Sequence, residues 1–418
     1  MEIKELTNLE FKEFSEKFRP SSMYQTPYYA FTMNEQNCDS FFVGLFDNNI
    51  LRAASLILVQ KINGFKYGFA PRGFLLNYND FNLLETFTKE LKQFLKKKDI
   101  VAIKVNPLII KSVYNNEGKM ISKNAEYDKI FAELKTLGYY HLGYNNYFEA
   151  LKPRFEAVVN IDLPYTGIFA NITKAFRTKI RKADKDGIKV YHGNINNLEY
   201  LYLQTKGKYP RDLDYFKQLY NFFDKENLID FYYSKLDTTE YLKITQNLYN
   251  EYSKLSNKLN NELLKNPSQG EGIMNQKLAI DNEFEKIRGQ LAVATNYLRD
   301  YPDGIVLASA LVVKWQDEIY LIMDGHNEEY KNFNGKHLLL WKLMGRYSKL
   351  GYKRFNLGGV SNIQKDDKKY KGLNEFKLSF NAKVIEYAGD FELITNNALY
   401  FMYRRTTNFS NMLKSGKN

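Results

Sequence analysis

Ile305-Val306-Leu307-Ala308-Ser309-Ala310-Leu311-Val312-Val313, then Trp315-Gln316-Asp317, then Ile319-Tyr320-Leu321-Ile322-Met323 reads as a β-hairpin, two apolar runs around a short polar turn. A helix-forming stretch at 336–350 and a strand at 352–357 follow directly. Hairpin, helix and strand in that order make an α/β unit. The same order occurs earlier in the chain. Residues 41–46 and 51–59 flank Asp47-Asn48-Asn49, whose asparagines tolerate positive φ. An aromatic, glycine-containing segment then runs to Gly73, an amphipathic helix spans about 80–98, and a strand at 100–105 ends at Asn106-Pro107. This repeat predicts two α/β lobes, each with a mixed sheet.

A segment of different character interrupts the second lobe. Leu248, Tyr252, Leu255, Leu259 and Leu263 recur mostly by alternating fours and threes, as do Ile280, Phe284, Ile287, Leu291, Ala294 and Leu298. Asn266-Pro267-Ser268-Gln269-Gly270-Glu271-Gly272 lies between the halves and cannot continue a helix. An antiparallel coiled-coil hairpin is expected. It is either a stalk that buries its own seam or an arm that reaches an RNA or a partner protein. The expected units are a first lobe at 1–153, a second lobe at 154–237 and 301–394, and the arm at 238–300. A C-terminal helical segment at 395–418 is expected to pack back on the first lobe.

Sixty Lys and Arg against 48 Asp and Glu give a formal net charge of +12. That excess suits polyanionic partners such as RNA, nucleotide diphosphates or an anionic lipid surface; it equally suits a merely soluble basic surface. Cys38 is the single cysteine, and His141, His192, His326 and His337 are scattered, so neither a disulfide framework nor a metal site is expected. The first ten residues mix acids with lysine and lack the apolar stretch of a signal peptide. The longest apolar run, 305–313, is far short of the ~20 residues that span a bilayer. A cytoplasmic protein is expected, with any membrane contact peripheral, at the inner surface.

Three constellations could carry chemistry. In residues 171–190, Ile172, Phe176, Ile180 and Ala183 line one helical face, while Lys174, Arg177, Lys179, Arg181, Lys182 and Lys185 occupy the others, and Gly187 suits the helix stop. Lys208-Tyr209-Pro210-Arg211 precedes Tyr215-Phe216. Last comes Phe355-Asn356-Leu357-Gly358-Gly359-Val360-Ser361, followed by the 375–391 block that begins Glu375-Phe376-Lys377-Leu378-Ser379-Phe380. A lysine held among aromatics just beyond a glycine-marked strand end is placed to meet developing negative charge. Each feature also has a bland reading: a solvated helix face, a surface arginine pair, a lysine capping a sheet.

The order of these residues resembles the Fem family, aminoacyl-tRNA-dependent transferases that build peptidoglycan cross-bridges. Its most specific parts here are the helix with the Arg181-Lys182-Ala183-Asp184-Lys185-Asp186-Gly187 ending and the 357–391 block. The resemblance implies two acyltransferase (GNAT-like) lobes, an aminoacyl-tRNA donor as co-substrate with no other cofactor, and a lipid-linked or UDP-linked muropeptide acceptor. It implies Lys377 as the catalytic residue. Arg211, Tyr215 and Phe376 would contact substrate, and Arg177, Arg181 and Lys182 would contact tRNA or phosphate. Tyr24-Gln25-Thr26-Pro27 is similar to an early family segment, yet many members place a lysine eight residues after the glutamine and this chain has Met33. Lys66 and Arg72 are the expected substitutes. Homologous transferases or a second copy of the chain are further partners that the resemblance allows.

No serine or cysteine nucleophile pairs with a histidine, which fits direct attack by an acceptor amine. Two rival readings stay open. One is a non-catalytic RNA-binding, precursor-binding or immunity factor of the same fold. The other is a coenzyme-A-dependent N-acetyltransferase, although adjacent Gly358-Gly359 lacks the spaced glycine frame that holds a pyrophosphate.

Overall fold

The structure, a computed structural model, describes residues 1–146, 152–207, 211–265, 270–365 and 368–415. It is an α/β molecule built on two mixed sheets. The first sheet has the order Glu2–Leu6, Asp39–Asp47, Ile50–Ile62, Phe65–Ala70, Ile100–Val105, Phe391–Ile394 and Tyr139–His141. The second runs Ile188–Gly193, Ile229–Leu236, Ile305–Trp315, Glu318–His326, Arg354–Val360, Phe155–Asn160, Lys383–Tyr387, Ile110–Tyr114 and Met120–Lys123. Each sheet is a run of antiparallel strands with one parallel pair, and a helix crosses over between the two strands of that pair.

Local chemistry explains these elements. Asn48 and Asn49 sit at φ 47° and 66° in the first hairpin, and Gln316 at φ 57° in the second, so both turns lie in the left-handed region that short polar side chains tolerate. Asp80 caps the helix Phe81–Lys97 through the backbone N–H of Leu83, and Leu84, Phe87, Leu91 and Leu95 bury its inner face. Helix Lys174–Lys185 buries Phe176, Ile180 and Ala183 and stops at Gly187, φ 79°.

The structure corrects the sequence reading in four places. Residues 65–70, passed over as an aromatic segment, form a strand, so the true counterpart of the hairpin 305–323 is the pair Ile50–Ile62 and Phe65–Ala70. Ile229–Leu236 then corresponds to Asp39–Asp47, and the arm stands where the first lobe has its Asn48-Asn49 turn. The sheets also exchange strands. Ile110–Tyr114 and Met120–Lys123 join the second sheet and Phe391–Ile394 the first, across the expected boundaries at 153 and 394.

In the arm, Thr238–Lys265 packs against Gly270–Asp300, whose helix already includes Gly270 to Gly272; Asn266 to Gln269 lie outside the described residues. The second helix keeps the expected seam, with Ile287 and Ala294 buried and Ile280, Phe284, Leu291 and Leu298 half-buried, and the first departs from it at two positions. Leu248 and Leu255 are exposed, while Tyr249 meets Phe284 and Ser256 donates to Asp281 at 2.5 Å. A C-terminal helix, Asn397–Ser415, sets Tyr403 against Phe65 and Tyr67 of the first sheet.

Candidate active site

The parallel strands of the second sheet pair only over Glu318 to Tyr320 against Arg354 to Asn356. Beyond that the ladder stops. Asn356 Oδ1 accepts from the Gly358 N–H at 2.8 Å, and Gly358 takes φ 77°, turning its strand away from its neighbour. Lys377, in the last turn of helix Lys371–Leu378, fills the wedge: its Nζ donates to the Gly359 carbonyl at 2.7 Å, and only 9% of the residue is exposed. A Cβ at Gly358 would stand 3.7 Å from that Nζ. The helix is fixed by a reciprocal clamp, in which Asn374 Nδ2 donates to Ser361 Oγ at 2.8 Å and Ser361 N–H to Asn374 Oδ1 at 3.1 Å. Burial lowers the Lys377 pKa to about 8; Asp324 and Glu156 oppose the drop and Lys336 adds to it.

Beside Phe376 a cavity of about 610 Å³ opens at the start of helix Gly335–Lys349. Asn334, at φ 58°, leads into that helix, and Gly335 leaves no room for a side chain because a Cβ there would meet Leu307 at 2.6 Å. Lys336 pairs with Asp324 at 2.8 Å and lies 4.5 Å over the Phe376 ring. His337 packs edge-on to Phe176 and Phe376, and burial, aided by Lys179 and Lys336, holds its pKa down at about 3, so the imidazole is neutral. Its Nδ1 is buried without a hydrogen-bond partner among the described residues. Cations, a neutral imidazole and an aromatic wall together suit a ligand carrying both phosphate and a flat ring.

The three cations of the basic helix expected to contact tRNA or phosphate have partners within the protein. Arg177 donates to the Ala170 carbonyl at 2.5 Å, Arg181 lies 5.2 Å over Phe169, and Lys182 pairs with Asp186 at 2.6 Å. None of the three lines the cavity. Lys179, one face away, does. Lys179 and Lys336 thus line the cavity without having been singled out by the sequence, although both fall in segments read as helix.

A second cavity, about 480 Å³, lies against the first sheet and is lined among others by Met33, Tyr67, Lys104, Lys152, Arg211 and Tyr403. Arg211 stands 4.3 Å over the ring of Tyr215, which is buried and capped by Asp212; Lys208 to Pro210 lie outside the described residues. The two residues expected to replace the charge at Met33 are committed elsewhere. Lys66 donates to the Lys98 carbonyl at 3.1 Å, and Arg72, φ 53°, is buried with Glu156 at 2.5 Å and Pro153 O at 2.7 Å. Gln25 is structural as well, bonded to Leu56 and Pro71 backbone. Glu156 also accepts from Asn356 Nδ2 at 2.9 Å, so hydrogen bonds run from the Arg72 pair to the Gly358 turn beside Lys377.

The FemAB family model matches residues 6–407. The chain belongs to the FemAB family. Aminoacyltransferase FemA of Staphylococcus epidermidis (strain ATCC 35984) is 26% identical over 414 residues, covering 97% of this chain and 98% of that protein. Aminoacyltransferase FemA of Staphylococcus aureus (strain bovine RF122 / ET3-1) is 23% identical over 413 residues, 96% and 97% covered. The crystal structure of FemX superposes with a TM-score of 0.75 at 21% identity, over 96% of this chain and 99% of that one, and so shares the fold. As a FemAB protein the chain is an aminoacyltransferase. Among the described residues no helix is long and apolar enough to cross a membrane, and no group of His, Cys, Asp and Glu could hold a metal ion.

Proposed function

We propose that this FemAB protein takes an aminoacyl group from aminoacyl-tRNA and joins it to an amine on the stem peptide of a peptidoglycan precursor, as a step in interpeptide bridge synthesis. The observation that carries the reading is the buried Lys377 ammonium in the wedge between two parallel strand ends, beside a cationic, aromatic cavity. Burying a cation without a carboxylate against it opposes folding, so its retention points to chemistry and away from a purely binding role.

In this reading the 3′ end of the donor enters the second-lobe cavity, where Lys179 and Lys336 face its phosphates and Phe376 its terminal base. The acceptor occupies the first-lobe cavity with Arg211. The acceptor nitrogen attacks the ester carbonyl carbon; a C–N bond forms, the bond to the ribose oxygen breaks, and the amine proton ends on that departing oxygen. Lys377 stabilises the negative charge on the carbonyl oxygen or the leaving ribose oxygen. Positioning of the two substrates supplies the remaining rate.

The test is a transfer assay with purified protein, a mixed pool of charged tRNAs, and both UDP-linked and lipid-linked acceptors, read by product mass. An increment of one amino-acid residue is expected, and its value identifies the amino acid. No increment with any acceptor, despite binding of tRNA or acceptor, would return the protein to the non-catalytic reading.

A further inference from the structure

Both ladders of the strand Arg354–Val360 fail at the same place. Its parallel pairing with Glu318–His326 ends at Asn356 opposite Tyr320, and its antiparallel pairing with Phe155–Asn160 shifts register between Asn356 and Gly359. The Gly358 N–H beyond that break is taken by the Asn356 side chain, whose Oδ1 accepts it at 2.8 Å. This is the turn that a short amide forms with its own backbone two residues on. It aims Gly358 outward at φ 77°, and the next carbonyl, that of Gly359, accepts from Lys377 Nζ at 2.7 Å.

The other end of the amide is gripped from two sides. Asn356 Nδ2 donates to Glu156 Oε2 and to Glu318 Oε1, each at 2.9 Å, and only 2% of the residue is exposed. Arg72 holds the first carboxylate and Arg354 the second. An amide turned end for end would set its oxygen against two carboxylates and its NH2 against the Gly358 N–H, so the two acids dictate which way it points. Burial raises the Glu318 pKa, and the Asn356 donor is among the groups that oppose the rise.

We propose that Asn356 is the positioning residue of the wedge: its amide, gripped by Glu156 and Glu318, holds the Gly358-Gly359 turn so that the Gly359 carbonyl sets the Lys377 ammonium where charge develops. The inference rests on the assignment of charge stabilisation to Lys377 above. Among the described residues Asn356 lines neither cavity, so it acts on the rate through Lys377 and not on substrate binding. Because Glu156 is the partner of Arg72, the first lobe takes part in aiming a lysine that belongs to the second. A displacement of about 1 Å at a reacting centre is enough to cost on the order of 10²-fold in rate.

Two substitutions separate the turn from the packing. Asn356→Ser and Asn356→Ala both shorten the side chain and drop the bonds to the carboxylates, but the serine hydroxyl can still accept, more weakly, from the Gly358 N–H. Single-turnover transfer per folded protein is measured for wild type and both variants, each with and without Lys377→Ala, and folding is read from denaturation midpoints. Asn356→Ala is expected to lower the rate about ten- to hundredfold with the Kd of donor and acceptor unchanged, and Asn356→Ser to recover part of that loss at a similar midpoint. With Lys377→Ala already present, either substitution is expected to change the rate by less than about twofold. An unchanged rate in Asn356→Ala overturns the positioning role, and equal rates in the two variants overturn the turn as its route. The same fold-loss in both Lys377 backgrounds, or failure of both variants to fold, overturns it as well, because Asn356 is then only a strut of the core. If Asn356→Ala alone does not fold, Asn356→Ser decides by the same comparison of backgrounds. Equal rates for wild type and Lys377→Ala overturn instead the assignment of Lys377.

Discussion

The two lobes carry the same strand order around their parallel pair and treat the gap in that pair in opposite ways. In the first lobe Phe65–Ala70 and Ile100–Val105 stay paired to the end, from Lys66 with Ile100 to Ala70 with Val105. The chain leaving the pair is buried: Arg72 is locked to Glu156, and Leu75 bridges back to Ala54. In the second lobe the ladder stops after three pairs, Gly358 turns outward, and Lys377 enters from a separate helix. One topology thus gives a sealed, load-carrying lobe and an open, reactive one. Where the strands part, a buried charge has no carboxylate partner among the described residues; where they stay paired, the buried charge has one.

Arg72→Met should break the sealed lobe most severely. It leaves Glu156 buried without its guanidinium, at a cost of roughly 3–5 kcal/mol, seen as a lowered denaturation midpoint with unchanged slope. A midpoint within experimental scatter of wild type would show that the two lobes do not differ in this way.

Lys377→Met is the mirror experiment. The folded pKa of about 8 lies below the unfolded value of 10.5, so the ionised lysine opposes folding at pH 7 and the opposition fades as pH rises between those values. The variant should be more stable than wild type by about 3 kcal/mol at pH 7 and indistinguishable from it above about pH 10.5. Lower stability at pH 7 would make Lys377 a structural strut like Arg72.

Asp324→Asn sharpens the comparison at smaller scale. Asp324 holds the Lys377 pKa up, so its loss should move the alkaline fall in kcat toward neutral pH, by up to about one unit. A limb that stays in place would mean that the proton which matters is not on Lys377.

The arm should matter least for donor binding. Its eight Lys and Arg are balanced by eight Asp and Glu, and Lys277, Lys286, Arg288 and Arg299 pair with carboxylates on their own helix, leaving no net charge for an RNA backbone. Removing its outer half should change the KM for aminoacyl-tRNA by less than about threefold, against about tenfold for Lys179→Ala. The reverse ranking would make the arm the RNA-binding element.

The sequence disclosed what short-range chemistry controls. Asparagines at the first hairpin turn, Asp80 at a helix start, Gly187 at a helix end and the apolar face of 172–183 are local signals, and each marks its element correctly. Strand Phe65–Ala70 stayed hidden because its aromatics and Gly68 imitate a loop, and that one omission displaced the matching of the lobes. The crossing of Ile110–Tyr114 and Phe391–Ile394 into opposite sheets leaves no local mark, since either strand pairs equally well by pattern.

The site divides along the same line. Lys377 and Arg211 stand in recognisable segments and both reach a cavity or crevice. Lys152, Lys179 and Lys336 line cavities only because distant residues supply the other walls. Arg72, by contrast, is expected from the sequence to replace the charge missing at Met33 and is sealed by a glutamate 84 residues away.

The most direct test of an open, reactive second lobe is the single-turnover rate of aminoacyl transfer at saturating donor and acceptor, measured for wild type and Lys377→Ala. The expected result is a fall of at least about 10²-fold with the acceptor Kd unchanged. Equal rates in the two proteins would contradict it and take the chemical step out of the wedge.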